Sequence, residues 1–275
     1  MPELPETETI ARDLQRALAG ATIAGVTVTH ADVLRETTPA KLRRALTGAT
    51  IEHCWRRAKL VVLDLSTGYR LVVQPRFTGA LLIDAGALSE RERAYSTFAL
   101  RLDDGRTLHY RDIRRLGTVT LMSPERWARH SATLGVEPLD PAFTITHLSG
   151  ALRGSSQAVK KLVMDQRRIA GLGNIYANEA LWRAGIDPSR AGRTIRADEV
   201  VRLHGCIVSV LRESIDARGT SFRDYRDASG ERGSFAAQLD VYGRGGEACH
   251  RCGGRLVATN VIDGRATVLC PRCQQ

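Results

Sequence analysis

The sequence predicts an α+β protein: an antiparallel β-sandwich flanked by helices, then a helical region, then a small cysteine-bearing β-hairpin. Three observations predict it. Between Ala49 and Met122, apolar runs of strand length recur with turn tripeptides between them. From Thr146 to about Arg218 the apolar period becomes helical. Near the C-terminus, four cysteines form two C-x2-C pairs around a hairpin signal.

At 275 residues the chain is longer than most single cores. The expected division is a β-sandwich domain over 1–135, a linker over 136–145 carrying two prolines between Gly135 and Pro141, a helical domain over 146–240 and a hairpin module over 241–275. The 40 Lys and Arg outnumber the 30 Asp and Glu, for a net charge of +10. That surplus favours a polyanionic partner, most simply nucleic acid. No apolar run approaches the length of a membrane span, and the first residues lack a basic region followed by an apolar core. A cytosolic protein with reduced cysteines is the expectation.

Elements follow in order. Glu8 to Leu18 places Ile10, Leu14 and Leu18 on one helix face, and Thr22 to Thr29 alternates as a strand. Thr38-Pro39 opens a short basic helix that runs toward Gly48. Strands are expected at 59–65, 69–74, 79–83, 96–102, 107–112 and 118–122, with Ser66-Thr67-Gly68 and Asp103-Asp104-Gly105 turning two hairpins. Helices are expected at 157–165, 175–184 and 197–217, the middle one capped by Asn174 and stopped by Gly185. The glycines and arginines ahead of Asn174 suit an anion, with DNA phosphate the natural ligand. The stretch 218–239 has no period and reads as a mobile loop. Val257 to Ile262 and Arg265 to Leu269 flank Asp263-Gly264, a two-residue hairpin turn, which sets Arg265 at a stiff fingertip as a groove or phosphate probe.

Two features carry chemistry. Cys249-x2-Cys252-x17-Cys270-x2-Cys273 has zinc-ribbon spacing, and four thiolates make a closed tetrahedral shell with no position for a catalytic water, hence one structural Zn2+. Cys54 and Cys206 stand apart and read as packed apolar residues. The second feature is the opening Met1-Pro2-Glu3-Leu4-Pro5-Glu6. Removal of Met1 leaves a proline secondary amine, a nucleophile that titrates below lysine and yields an iminium directly from an aldehyde-like carbon. Glu3 and Glu6 beside it are candidates for proton transfer. The same stretch equally suits a plain helix start, with prolines pre-set for the first turn and acids matched to its dipole.

Taken together, Met1-Pro2-Glu3-Leu4-Pro5-Glu6, Met164-Asp165-Gln166 through Asn174-Ile175-Tyr176-Ala177-Asn178-Glu179, Val241-Tyr242-Gly243-Arg244 and Cys270-Pro271-Arg272-Cys273-Gln274 resemble the Fpg/Nei family of bacterial base-excision repair enzymes, along essentially the whole chain. Leu4, where the endonuclease VIII group has glycine, favours the formamidopyrimidine-DNA glycosylase branch and oxidised purines over oxidised pyrimidines. The resemblance implies a helix-two-turn-helix in the helical domain, a zinc-finger hairpin, and a bifunctional glycosylase and AP lyase that acts on damaged double-stranded DNA in the bacterial cytoplasm; a monomer is the default expectation, since no oligomerisation signal stands out in the sequence. It implies Pro2 as nucleophile, Glu3 as the acid that opens the sugar and Glu6 in support. It further implies Lys59 at a phosphate near the lesion, Asn174 and Arg265 on flanking phosphates, Lys160 near the DNA, and the segment Ser221–Ser234 over the extruded base. The wedge positions depart from the family's methionine, arginine and phenylalanine: they hold Phe77, Arg114 and Leu116, after Gln74-Pro75-Arg76. A silent lesion-binding protein is the reading from another class, and the intact Pro2, Glu3 and Lys59 argue against it.

Overall fold

The computed structural model describes residues 2–86, 88–222 and 224–275. They form two compact units: one from the described residues up to 132 together with those of 217–236, the other from 133–216 with 237–275. Sequence pattern alone assigns 217–236 to a helical domain spanning 146–240; in the structure that segment leaves the helices and packs with the N-terminal unit.

In the first unit, helix α1 (Leu4–Leu18) leads to β1 (Ile23–Val28), α2 (Pro39–Leu46), β2 (Ile51–Arg57), β3 (Leu60–Leu65), β4 (Arg70–Gln74), β5 (Gly79–Asp84), α3 (Glu90–Ala94), β6 (Ser96–Leu102), β7 (Thr107–Asp112), β8 (Thr118–Met122) and α4 (Pro124–Ala132). The strands make two antiparallel four-stranded sheets, ordered β1-β6-β7-β5 and β2-β3-β4-β8. Their inner faces share one core. Val61, Leu63, Leu71, Val73 and Val119 come from one sheet, Leu81, Phe98, Leu100, Leu108 and Tyr110 from the other. Ile10, Leu14 and Leu18 of α1 close that core, each fully buried and each contributing about 1.5–3 kcal/mol.

The expected sandwich is therefore present, with additions. The strand β2 is not among the expected ones because Glu52, His53, Trp55, Arg56 and Arg57 hide its alternation; it forms because it pairs along its length with the strongly apolar β3. Helix α4 is a further addition, anchored by Trp127 edge-on to Trp55 at 5.3 Å.

The second unit holds α5 (Ile145–Leu152), α6 (Val159–Val163), α7 (Asn174–Ala184), α8 (Ala197–Asp216) and the antiparallel pair β9 (Val257–Thr259) and β10 (Thr267–Leu269). Gly185 ends α7 with φ +72°, as its place after the last apolar residue predicts. Asn174 is not the cap of α7. Gly173 holds that position, and Asn174 is the first helical residue, with its side chain turned to the hairpin.

Candidate active site and nucleic-acid interface

The start of α1 is held from two directions. Pro5 occupies the first turn, and Glu3 and Glu6 form a reciprocal capping box. One oxygen of the Glu6 carboxylate accepts from the Glu3 N–H at 2.8 Å, and the other accepts from the Thr220 N–H at 2.7 Å. A buried carboxylate so engaged ties the returning segment 217–236 to the N-terminus. Gly219 is needed there: at φ +86° any Cβ would stand 3.0 Å from the Glu6 side chain. Pro2, Glu3 and Glu6 are all buried. Met1, whose removal the nucleophile requires, lies outside the described residues.

Lys59 sits in the β2–β3 turn, where Ala58 adopts φ +53°. The Ala58 carbonyl accepts from the Thr7 hydroxyl at 3.5 Å, and Arg56 pairs with Glu8 at 2.7 Å. These contacts bring the lysine's turn against the first turns of α1. Burial alone would raise the Glu8 carboxyl, but the charge and hydrogen bonds of Arg56 and Arg12 outweigh it and hold the group below the usual range.

The segment expected as a mobile loop has built-in anchors. Arg218, in the left-handed region at φ +59°, donates to Asp13 of α1 and to Asp227, each at 2.5 Å. Thr220 bridges Ser234, and the Tyr225 hydroxyl reaches the Arg218 carbonyl at 3.1 Å. Within the Ser221–Ser234 stretch, residue 223 lies outside the described residues. No sequence pattern announces the Asp13–Arg218 pair, because its members stand far apart in the chain.

The wedge positions occupy two neighbouring turns of the same unit. Phe77 is 48% exposed and Leu116 40%, and the Arg114 guanidinium lies over the Phe77 ring at 5.5 Å. Neither large apolar side chain is part of the core.

In the second unit, side chains of α6 and α7 converge on one carbonyl of the hairpin. Ala266 O accepts from Lys160 Nζ and Asn174 Nδ2, both at 3.0 Å, and Asn178 Oδ1 accepts from the Val268 N–H at 2.8 Å. Lys160 also donates to Thr267 Oγ1 at 2.7 Å and is 1% exposed. Asp263 and Gly264 both have positive φ, and the Arg265 N–H closes on Ile262 O at 3.2 Å, so a tight turn forms where expected, but residues 260–266 connect the paired strands in place of the expected two-residue loop. The strands are shorter than expected, pairing only from Thr259 opposite Thr267, since Ala266 O is taken by side chains rather than by the opposite strand. Arg265 is exposed beside that turn.

Cys249, Cys252, Cys270 and Cys273 bring their sulfurs within 4.8 Å of one another, with Cys249 to Cys273 at 3.9 Å and Cys252 to Cys270 at 3.5 Å. A tetrahedral zinc with bonds of about 2.3 Å needs sulfurs about 3.8 Å apart, so the donor set fits one structural zinc. Trp182, Leu256 and Val268 pack around it, and Arg251 covers the Trp182 ring at 4.4 Å. The carboxylate of Glu179 receives the N–H groups of Asp240, Val241 and Tyr242 at 2.7–3.0 Å. Burial nonetheless lifts its pKa above the ordinary carboxylate value. No pattern along the chain marks it, because its partners lie about sixty residues further on. Of the two remaining thiols, burial pushes Cys54 up to about 12 and also raises Cys206, as befits packed, unreactive groups. Among the described residues, no helix is long and apolar enough to cross a membrane.

Residues 1–119 match the formamidopyrimidine-DNA glycosylase N-terminal domain, residues 134–226 the formamidopyrimidine-DNA glycosylase H2TH domain, and residues 246–275 the zinc finger found in FPG and IleRS. The formamidopyrimidine-DNA glycosylase of Heliobacterium modesticaldum is 42% identical over 278 residues, covering all of both chains. That of Chloroflexus aggregans is 40% identical over 274 residues, covering 100% of this chain and 98% of its own. Among solved structures, wild-type Lactococcus lactis Fpg with DNA containing N7-benzyl-Fapy-dG matches with a TM-score of 0.92 at 31% identity over 100% of each chain. The L. lactis Fpg complex with abasic-site DNA matches at 0.91 and 30% over 99% of each. Fpg of Thermus thermophilus matches at 0.87 and 34% over 99% of this chain and 98% of that one. With its domains matched in order and its whole length aligned to such relatives, the chain belongs to the formamidopyrimidine-DNA glycosylase family.

Proposed function

We propose that this protein is a bifunctional DNA glycosylase and AP lyase that removes formamidopyrimidines and oxidised purines such as 8-oxoguanine from duplex DNA. The observation that carries the reading is the construction of the N-terminus: a proline followed by two buried glutamates in a capping box, one of which also grips the segment 217–236. A base stacked in the duplex hides its anomeric carbon, so the nucleotide must turn out at a cost of a few kcal/mol. Phe77, Arg114 and Leu116 enter the stack to offset that cost. Arg265 and Asn174 hold phosphates, with Lys160 bracing the Arg265 turn from below rather than reaching the backbone itself.

The Pro2 nitrogen then attacks C1′ and the bond to the base breaks, the base leaving with a proton. Glu3 protonates the ring oxygen, the sugar opens, and the nitrogen and C1′ share a double bond as an iminium. That cation acidifies the C2′ proton. Its removal expels the 3′ phosphate, and a second elimination expels the 5′ phosphate, leaving a one-nucleotide gap with phosphate at both ends. Lys59 assists at a phosphate near the lesion, and Glu6 keeps Glu3 and the covering segment in place. Zinc supplies rigidity to the hairpin and takes no part in the chemistry. The protein works as a monomer in the bacterial cytoplasm, on chromosomal DNA.

Borohydride trapping on a duplex carrying 8-oxoguanine opposite cytosine tests the proposal. A reduced adduct mapped to Pro2 is expected, and retained Met1 should abolish strand cleavage while lesion binding persists, whereas Pro2→Gly, which keeps a primary α-amine, should only slow it. Unchanged cleavage with Met1 retained would remove the Pro2 amine from the mechanism.

A further inference from the structure

Beneath the exposed wedge lies a buried polar cluster that the chemistry above does not use. Asp112, at the end of β7, is 1% exposed, and Thr78 and Tyr110 beside it are buried as well. The Thr78 hydroxyl donates a short hydrogen bond to Asp112 Oδ1 and accepts the Arg114 N–H at 3.0 Å. The other carboxylate oxygen of Asp112 accepts the Gly117 N–H at 2.8 Å and the Tyr110 hydroxyl at 3.3 Å. Thr78 follows Phe77, and the N–H groups of Arg114 and Gly117 bracket Leu116. One carboxylate and one hydroxyl therefore join both wedge-bearing turns. The turns also close tightly on Tyr110: a Cβ on Gly79 would stand 2.7 Å from its hydroxyl, and one on Gly117 1.8 Å.

We propose that Asp112, acting through Thr78, is the positioning residue of the wedge, making Phe77, Arg114 and Leu116 one preassembled body before DNA arrives. The inference rests on the function proposed above and deepens it. A phenyl ring and a leucine held this way enter the base stack without first being ordered, and ordering at the moment of binding is what weakens a flexible probe. Hydrogen bonds to a buried carboxylate are stronger than neutral ones and leave N–H groups unpaired when cut, so the clamp is stiff. The arrangement also explains how Phe77 remains presented at the surface with Arg114 stacked on it. The wedge matters most when a base must leave the stack. A sugar that has already lost its base has nothing to unstack, so its cleavage depends little on the clamp.

The test compares single-turnover rates on two duplexes of one sequence, one with a formamidopyrimidine and one with an abasic site, each opposite cytosine. 2-Aminopurine beside the lesion reports unstacking. Thr78→Val, which keeps the shape and removes the hydroxyl, is expected to slow excision of the base about tenfold and delay the fluorescence rise. Abasic-strand cleavage should stay within about twofold, and Thr78→Ser should restore excision. Asp112→Asn should follow Thr78→Val, and the serine and valine pair decides the matter if that variant fails to fold. An equal fall on both duplexes, or no fall on either, would overturn the positioning role while leaving the glycosylase reading intact. A wild-type protein that cleaves neither duplex would overturn both.

Discussion

Arg265 and Lys160 show how two cations in one structural neighbourhood take different jobs. Arg265 is exposed at a rigid turn, and Lys160 is buried with its ammonium bonded to Ala266 O and Thr267 Oγ1. Desolvating an ammonium is expensive, and the two oxygens offset that cost only while the turn keeps its shape. Arg265→Ala should weaken binding across sequences and reduce the salt slope by about one counterion. Lys160→Met keeps the stem and removes the donors. It should leave the slope unchanged while lowering stability by about 1 kcal/mol, since the Lys160 hydrogen bonds are lost but Ala266 O keeps its bond from Asn174. Filter binding against salt, with urea unfolding beside it, separates the two; a slope loss in Lys160→Met would place its ammonium on a phosphate.

At the scale of the element, the segment 217–236 is a strap rather than a free loop. Its root is pinned by Arg218 to Asp13 and Asp227 and by the Thr220 N–H to Glu6. Breaking a buried ion pair by removing one partner costs about 3–5 kcal/mol. The Arg218 side chain is 42% exposed, and solvent screening reduces that to about 1–2 kcal/mol here. Its φ of +59° favours glycine by about 1 kcal/mol over other residues. Arg218→Ala should therefore cost about 2 kcal/mol and Arg218→Gly about 1, measured by urea unfolding, with faster proteolysis of the strap in both. Equal losses would mean that backbone strain at this position carries no weight. The pattern of glycine, serine, arginine and aspartate does signal irregular structure; it does not signal where that structure is tethered, because the tether lies in the first helix.

Over the whole molecule, charge sets the terms of binding. A net charge of +10 on a protein that meets a phosphate backbone makes affinity fall steeply with salt. Neutralising about six phosphates would cost roughly a thousandfold in affinity between about 50 and 200 mM salt. The prediction is checked by equilibrium titration on lesion and undamaged duplexes; a flat response would show that the cationic surface does not face DNA. The ratio between the two duplexes should move far less, since it reports the lesion-specific contacts rather than the backbone.

Most of the architecture was legible in local sequence. Alternation and turn tripeptides marked the strands of the sandwich, the four-residue step marked α1, Gly185 marked the end of α7, and the cysteine spacing marked the zinc module. Each of these is decided by neighbours along the chain. The sequence also offered Pro2, Glu3, Asn174 and Arg265 as candidates through short contiguous motifs, and Lys59 through the family resemblance. What only the tertiary structure decided is pairing across distance: β2 against β3 despite its charged faces, Arg218 on Asp13, Lys160 under Ala266, and Thr78 on Asp112. A hydrogen bond or ion pair depends on where two backbones come to lie, and tertiary packing within each unit, not local propensity, put them there.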